Sequence, residues 1–263
     1  MTEEEKLRLE NLGFRYTRNG AHSARTIMID ELELLFQAVD DVSAPHQAYI
    51  DAIVSDNCLG KQSGKTRVLT ARHLSDLYGL DPNLAVFKML RFFIARDENV
   101  KGKAMSAALC AFARDPLFRM TVPYINLCSR GARIEREVLE AFLEEKEPGR
   151  YSPASLMSIS QNINSSWTKT GHLSGRGIKI RTQAEPTVAN AAYAVILATL
   201  MGHRGKALFD SDPIRMLDVS AGRAMELAQQ ASEKGWIIYK RIGDIIEVGI
   251  PSQFAIASNG GDL

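Results

Sequence analysis

Residues that favour β-strands are confined to one short stretch near the end of this chain, whereas the rest carries apolar residues at helical spacing. Residues 236–242 and 244–250 are rich in β-branched and aromatic side chains, and Gly243-Asp244 is a typical two-residue hairpin turn. Upstream, apolar residues recur every three or four positions, as in Leu156, Ile159, Ile163 and Trp167. The sequence therefore predicts a mainly α protein, in which an N-terminal helical bundle is followed by a C-terminal domain with one β-hairpin.

Four helix starts are marked by a proline that directly follows an aspartate or a serine. An N-cap side chain accepts a hydrogen bond from the first helical turn, and proline suits the first helical position. We expect a helix to begin at each of these pairs. They are Asp81-Pro82, Asp115-Pro116, Ser152-Pro153 and Asp212-Pro213.

The helix predicted at 152–169 has an apolar and a polar face. Trp167 continues the apolar stripe, and large aromatic side chains at such positions are usually buried. We therefore expect Trp167 in the core rather than as a stacking platform for bases. The polar side chains expected to face away from the stripe are Ser158, Gln161, Asn162, Ser165 and Ser166.

The last eighty residues have the element order of a winged helix. A long apolar helix is predicted at 186–202, a short helix at 213–217, and a helix at 220–234 that Gly235 ends before the hairpin. The sequence thus predicts three parts: a helical bundle (1–147), a connecting basic helix and arm (148–184), and a winged-helix-like domain with a short disordered tail (185–263). Winged helices bind DNA, RNA or proteins, so this fold alone leaves the function open.

Composition limits the kind of protein this chain is expected to be. With 263 residues, 45% hydrophobic and 24% charged, it is typical of a globular protein, and its longest apolar run is shorter than the ~20 residues that span a bilayer. Cys58, Cys110 and Cys128 are far apart and form no disulfide or zinc pattern, which favours a cytoplasmic protein. The five histidines have no metal-binding or catalytic spacing, and no nucleophile elbow or dinucleotide motif occurs. We therefore expect neither catalysis, nor a metal, nor a cofactor.

Two stretches of the chain are basic and contain no acidic residue. Residues 57–75 carry four basic residues, and residues 148–184 carry five without one Asp or Glu. In the first stretch, Gly60 and Gly64-Lys65-Thr66 resemble a phosphate-binding loop, but three residues separate them where that loop needs four. An NTPase is therefore a weaker hypothesis than a phosphodiester backbone partner.

The prediction that follows is non-catalytic, sequence-tolerant binding of duplex DNA through backbone contacts from two basic patches. The first patch consists of Lys61, Ser63, Lys65, Thr66, Arg67 and Arg72, and the second of Lys169, His172, Arg176, Lys179 and Arg181, with Lys240 and Arg241 of the wing nearby. The alternative is a protein–protein adaptor that uses the winged helix and the acidic helix at 134–147.

One family resemblance supports the first hypothesis. The run from Ile53 to Leu59 (IVSDNCL), the following residues 60–77, the later Ser165-Ser166-Trp167-Thr168 and the apolar helix at 192–201 resemble the BrxA family of accessory proteins from BREX phage-defence systems. The resemblance implies a cytosolic, largely helical protein that binds DNA and works beside larger methyltransferase and ATPase components. The family's polar linker maps onto Lys61, Ser63, Lys65, Thr66 and Arg67.

Overall fold

The computed structural model describes residues 2–16 and 20–254. These residues form thirteen α-helices and five short strands. The helices are α1 (Glu3–Asn11), α2 (Ile29–Ala38), α3 (His46–Val54), α4 (Gly64–Tyr78), α5 (Ala85–Ile94), α6 (Val100–Arg114), α7 (Pro116–Met120), α8 (Val122–Leu127), α9 (Arg136–Lys146), α10 (Pro153–Lys169), α11 (Val188–Leu200), α12 (Asp212–Arg215) and α13 (Ala221–Glu233). The strands are β1 (Arg133–Ile134), β2 (Leu173–Ser174), β3 (Lys179–Arg181), β4 (Ile238–Ile242) and β5 (Ile245–Gly249). The mainly helical prediction is confirmed.

The capping pattern locates three of the four predicted helix starts. Asp115 and Ser152 each accept hydrogen bonds from the first turn of the helix that follows, as predicted. At α12 the N-cap is Ser211, one residue earlier than expected. The prediction at Asp81-Pro82 is wrong, because the Asp81 carboxylate accepts a hydrogen bond from Asn83 N (2.9 Å) in a local turn and α5 begins only at Ala85.

The predicted hairpin is confirmed. Strands β4 and β5 pair antiparallel with Ile242 opposite Ile245, and Gly243 has φ +59° in the two-residue turn. A positive φ at this turn position suits glycine, because it has no Cβ. Helix α13 precedes the hairpin and ends before Gly235 (φ +68°), in agreement with the predicted stop.

The basic segment predicted as a flexible arm instead forms part of a small sheet. Strand β3 lies between β1 and β2, and both pairings are antiparallel. The turn from β2 to β3 requires Gly175 (φ +90°), since a Cβ there would collide with Ile178 O. Strands of two or three residues are too short to show alternation in the sequence, which is why the pattern did not predict this sheet.

A single hydrophobic cluster extends from Leu9 to Phe254. Helix α11 lies at its centre and packs against α5, α6 and α13. Aromatic contacts join Phe93 of α5 to Tyr193 of α11 (ring centroids 5.7 Å) and to Trp236 ahead of β4 (5.8 Å). The predicted short disordered tail falls on residues from 255 on, which lie outside the described residues.

Candidate nucleic-acid interface

The start of α4 contains the residues that suggested a nucleotide loop. Ser63 is the N-cap and accepts a hydrogen bond from Thr66 N (3.1 Å), and the two hydroxyls lie 2.8 Å apart. Lys65 and Thr66 occupy the first helical turn, and the loop before it follows helix α3. A P-loop follows a strand, so the NTPase hypothesis loses its structural basis at this position.

Two residues of the first predicted patch have partners within the protein. Arg67 donates from Nη1 to Val54 O and from Nε to Lys61 O, both at 3.3 Å, and so joins the end of α3 to the loop before α4. Lys61 forms an ion pair with Glu31 of α2 (3.2 Å). These contacts hold the loop in place and occupy the cationic groups that were predicted to bind phosphates.

Lys65 and Arg72 instead face solvent. Lys65 is exposed and forms no ion pair with any residue that the structure describes, and the side chain of Arg72 is 78% exposed with Asp76 at 4.0 Å. The two cations are seven positions apart on α4, about 10 Å along the helix axis. With them lie the exposed Val68 and Leu69. We call this surface the α4 stripe; its residues are Gly64, Lys65, Val68, Leu69 and Arg72, and they line a shallow groove.

Two further arginines extend the positive charge of the α4 stripe. A cleft next to it is lined by Arg15, Arg72, His73 and Asp76, and Arg15 Nη1 lies 2.7 Å from Asp76 Oδ1. Burial and the nearby Arg25 lower the pKa of His73, so this imidazole is neutral at pH 7. Among the described residues that line the cleft, Asp76 is the only carboxylate. Sequence reasoning missed Arg15 and Arg25, because no local motif links them to α4.

The second predicted patch is largely internal. Arg181 is 3% exposed and forms a two-pronged ion pair with Asp218, and His172 is fully buried. Burial lowers the pKa of His172 to about 4, so the ring is neutral at pH 7. The interpretation of Arg181 and His172 as phosphate contacts is wrong, since neither side chain reaches the surface. Lys169 pairs with Asp30 of α2 at 2.6 Å.

The remaining predicted contacts lie on two hairpin turns. Arg176 is exposed between β2 and β3, and Lys179 donates to Gly175 O (2.7 Å) in the same turn. On β4, Lys240 faces Glu247 across the hairpin (3.8 Å), and Arg241 donates to Gly243 O (3.0 Å). Nothing in these contacts joins the two turns to the α4 stripe.

A buried chain of polar groups connects the N-terminal segment to α10. His22 Nδ1 lies 2.9 Å from Asp115 Oδ2, and His22 Nε2 lies 3.0 Å from Ser166 Oγ. Ser166 Oγ also accepts from Ile27 N (3.1 Å), so the expectation that Ser166 faces outward is wrong. All three side chains are inaccessible to a substrate in this conformation, because none is more than 1% exposed. The contacts among this serine, histidine and aspartate thus lie inside the core.

The ring of His22 continues this buried layer. It stacks on Phe118 (4.6 Å), which stacks on Trp167 (4.7 Å). Trp167 is fully buried and donates from Nε1 to Thr121 Oγ1 (3.1 Å), which confirms its predicted place in the core.

Neither the other features of the described residues nor comparison with known proteins assigns a function to this geometry. Among the described residues, no helix is both long and apolar enough to cross a membrane, and no three His, Cys, Asp or Glu side chains gather in a possible metal site. The chain matches no protein-family model and no curated protein sequence.

Proposed function

We propose that this protein binds the backbone of duplex DNA, without sequence preference, through the α4 stripe and the nearby Arg25. The supporting observation is the position of Lys65. A cation in the first turn of a helix opposes the helix dipole, at a cost of roughly 0.3–1 kcal/mol, and Lys65 gains no compensating carboxylate from the described residues. A phosphate at this position would interact favourably with the ammonium group and with the helix dipole together.

The number of available cations sets the expected salt dependence. Lys65, Arg72 and Arg25 are three, because Arg15 is already paired with Asp76 at 2.7 Å, and each phosphate neutralised contributes about −0.9 to the slope of log K against log salt. We therefore expect a slope of about −3, smaller in magnitude than if Lys61, Lys169 and Arg181 also bound phosphates. Contacts of this kind determine affinity and position but not base sequence.

The C-terminal region contributes little phosphate binding in this proposal. We assign a winged-helix-like fold to α11, α12, α13 and the β4–β5 hairpin, on the order of these elements. Its α13 carries Glu226, which is paired with Arg223 at 2.8 Å, and Glu233, so this helix offers little net attraction for phosphates. A role beside larger components of a BREX-type phage-defence system rests on the sequence resemblance of residues 53–77, 165–168 and 192–201.

The test is a fluorescence anisotropy titration of unrelated DNA duplexes across a salt series. The double variant Lys65→Glu, Arg72→Glu should weaken binding more than tenfold for every sequence and reduce the magnitude of the salt slope by about 2. The control is Arg223→Glu, Lys206→Glu, which makes the same charge change on other exposed elements. Equal losses for the two double variants, or salt-independent binding, would contradict the proposal.

The adaptor hypothesis has one specific observation in its favour. Helix α9 exposes Val138 between carboxylates, and Arg136 pairs with Glu137 and Glu140, each at 2.8 Å. An exposed apolar residue among paired charges is compatible with a protein partner. This hypothesis predicts no DNA binding at any salt concentration, and loss of a co-purifying partner protein when Val138 is replaced by Glu.

A further inference from the structure

The outer face of the β4–β5 hairpin is apolar although it is exposed. Alternate residues of a strand share a face, so Ile238 and Ile242 of β4 lie on the same side as Ile245 of β5. Ile242 is 82% exposed, Ile245 76% and Ile238 40%, whereas Tyr239 and Ile246 on the opposite side are buried. Three exposed isoleucines on one small face are unusual for a surface in contact with water alone.

The charges on this face cancel each other. Lys240 lies directly opposite Glu247 in the strand register, with Nζ 3.8 Å from Oε2, and both belong to the isoleucine side of the hairpin. Arg241 and Asp244 add one further charge of each sign at the tip. A DNA backbone therefore gains little from this face, and the prediction of Lys240 as a phosphate contact finds no support in its surroundings.

We propose that the isoleucine face (Ile238, Lys240, Ile242, Ile245, Glu247 and Gly249) binds a second copy of this chain. Consider a twofold axis that lies above this face, runs parallel to the two strands and is midway between them. It places β4 of one protomer over β5 of its partner, at the same level along the strands. Ile242 then packs on the partner's Ile245, and Lys240 faces the partner's Glu247.

The third pair on this face fits the same arrangement. In the hairpin, Ile238 lies opposite Gly249. The side chain of Ile238 leans over this glycine within the same hairpin, with Cδ1 3.5 Å from the place that a Cβ on Gly249 would take. The twofold axis therefore brings the Ile238 side chains of the two copies against each other above the two glycines. At each of the three residue pairs on this face, one copy thus complements the same pair of the other copy, as an interface between identical copies requires.

The size of the face determines how strong this association is. A hairpin of five residue pairs covers much less than the ~1,200–2,000 Å² of a stable protein interface. We therefore expect a weak and reversible dimer. Its population should depend strongly on protein concentration.

Analytical ultracentrifugation of the full chain across a concentration series tests the proposal. The wild-type mass should rise from 29.1 kDa toward twice that value with concentration. Lys240→Glu and Glu247→Lys, each alone, place like charges against each other and should keep the protein monomeric. An equimolar mixture of these two variants should dimerise again. In the mixed dimer the two introduced charges are opposite in sign and face each other, and the unchanged Lys240 of one variant faces the unchanged Glu247 of the other.

Controls separate this interface from general effects of charge. Ile242→Glu with Ile245→Glu should abolish the dimer, whereas Val68→Glu, at an exposed apolar position on α4, should leave it unchanged. Circular dichroism checks that each variant keeps its helices. A wild-type chain that stays monomeric at every concentration, single charge variants that dimerise like wild type, or a mixture that fails to recover the dimer would each overturn the proposal.

Discussion

Arg181 donates from Nη1 and Nη2 to the two carboxylate oxygens of Asp218, each at 2.8 Å. Asp218 also accepts a hydrogen bond from Ala184 N (2.9 Å) and is held at φ +56°, in the left-handed region. Burial alone would raise the pKa of Asp218, but the hydrogen bonds from Arg181 and Ala184 N outweigh it and lower the pKa. The ion pair thus joins β3 to the turn after α12. Arg181, which the sequence predicted as a DNA contact, therefore has a structural role.

Asp218→Asn should destabilise the protein by about 3 kcal/mol. Asparagine tolerates the left-handed backbone conformation, so the main effect is a buried Arg181 without its counter-ion, which typically costs about 3–5 kcal/mol. Urea denaturation measures the change. Arg130→Ala is the control, because Arg130 is half exposed and lies 3.7 Å from Asp218, and it should cost less than about 1 kcal/mol. Equal effects of the two variants would contradict a structural role for the buried pair.

Stability should fall as the pH drops from about 6.5 to about 4 because of His172. Burial lowers the pKa of this imidazole from 6.5 to about 4, so the unfolded chain binds a proton in this range and the folded chain does not. The stabilisation is therefore present above pH 6.5 and is lost as the pH falls toward 4, by about 3 kcal/mol in full.

The measurement is the free energy of unfolding as a function of pH for wild type and His172→Asn. The asparagine cannot titrate, so the variant should show a shallower loss across this range. His73 titrates in the same direction, since its pKa is also lowered, and it is present in both proteins. Identical pH profiles for wild type and variant would show that His172 is not the group responsible.

Ser166→Ala should cost about 1–3 kcal/mol. The hydroxyl accepts from Ile27 N and contacts His22 Nε2 in a fully buried site, so its removal leaves buried polar groups without partners. The neighbouring Ser165→Ala is a matched control, because Ser165 is only half-buried and should change stability by less than about 0.5 kcal/mol. Denaturation of both variants, with amide exchange at Ile27, distinguishes loss of this network from a general effect on α10.

Local features of the fold were predictable, whereas the site depended on distant residues. Gly243-Asp244 and the caps at Asp115 and Ser152 act within a few residues, so their pattern is visible in the sequence. The acid-free stretches suggested concentrated positive charge, but Lys169 meets Asp30, 139 positions away, and Arg181 meets Asp218, 37 positions away. Pairs this far apart are brought together only by packing around the core.

Helix α2 carries the acids that neutralise two of the predicted DNA contacts, and this leads to a final prediction. Asp30 pairs with Lys169 and Glu31 with Lys61. If the α4 stripe binds a DNA backbone, Asp30→Asn with Glu31→Gln should release these two lysines and remove two repulsive charges. We expect binding at low salt to become several-fold tighter, with a salt slope steeper by up to about 2.

The same helix provides the control for this experiment. Glu33 pairs with Lys103 at 2.9 Å, and Lys103 is not a predicted contact. Glu33→Gln should therefore tighten DNA binding less per charge removed and leave the salt slope close to that of the wild type. If it had the same effect per charge, the gain would come from net charge alone, and the lysines at 61 and 169 would have no local part in DNA binding.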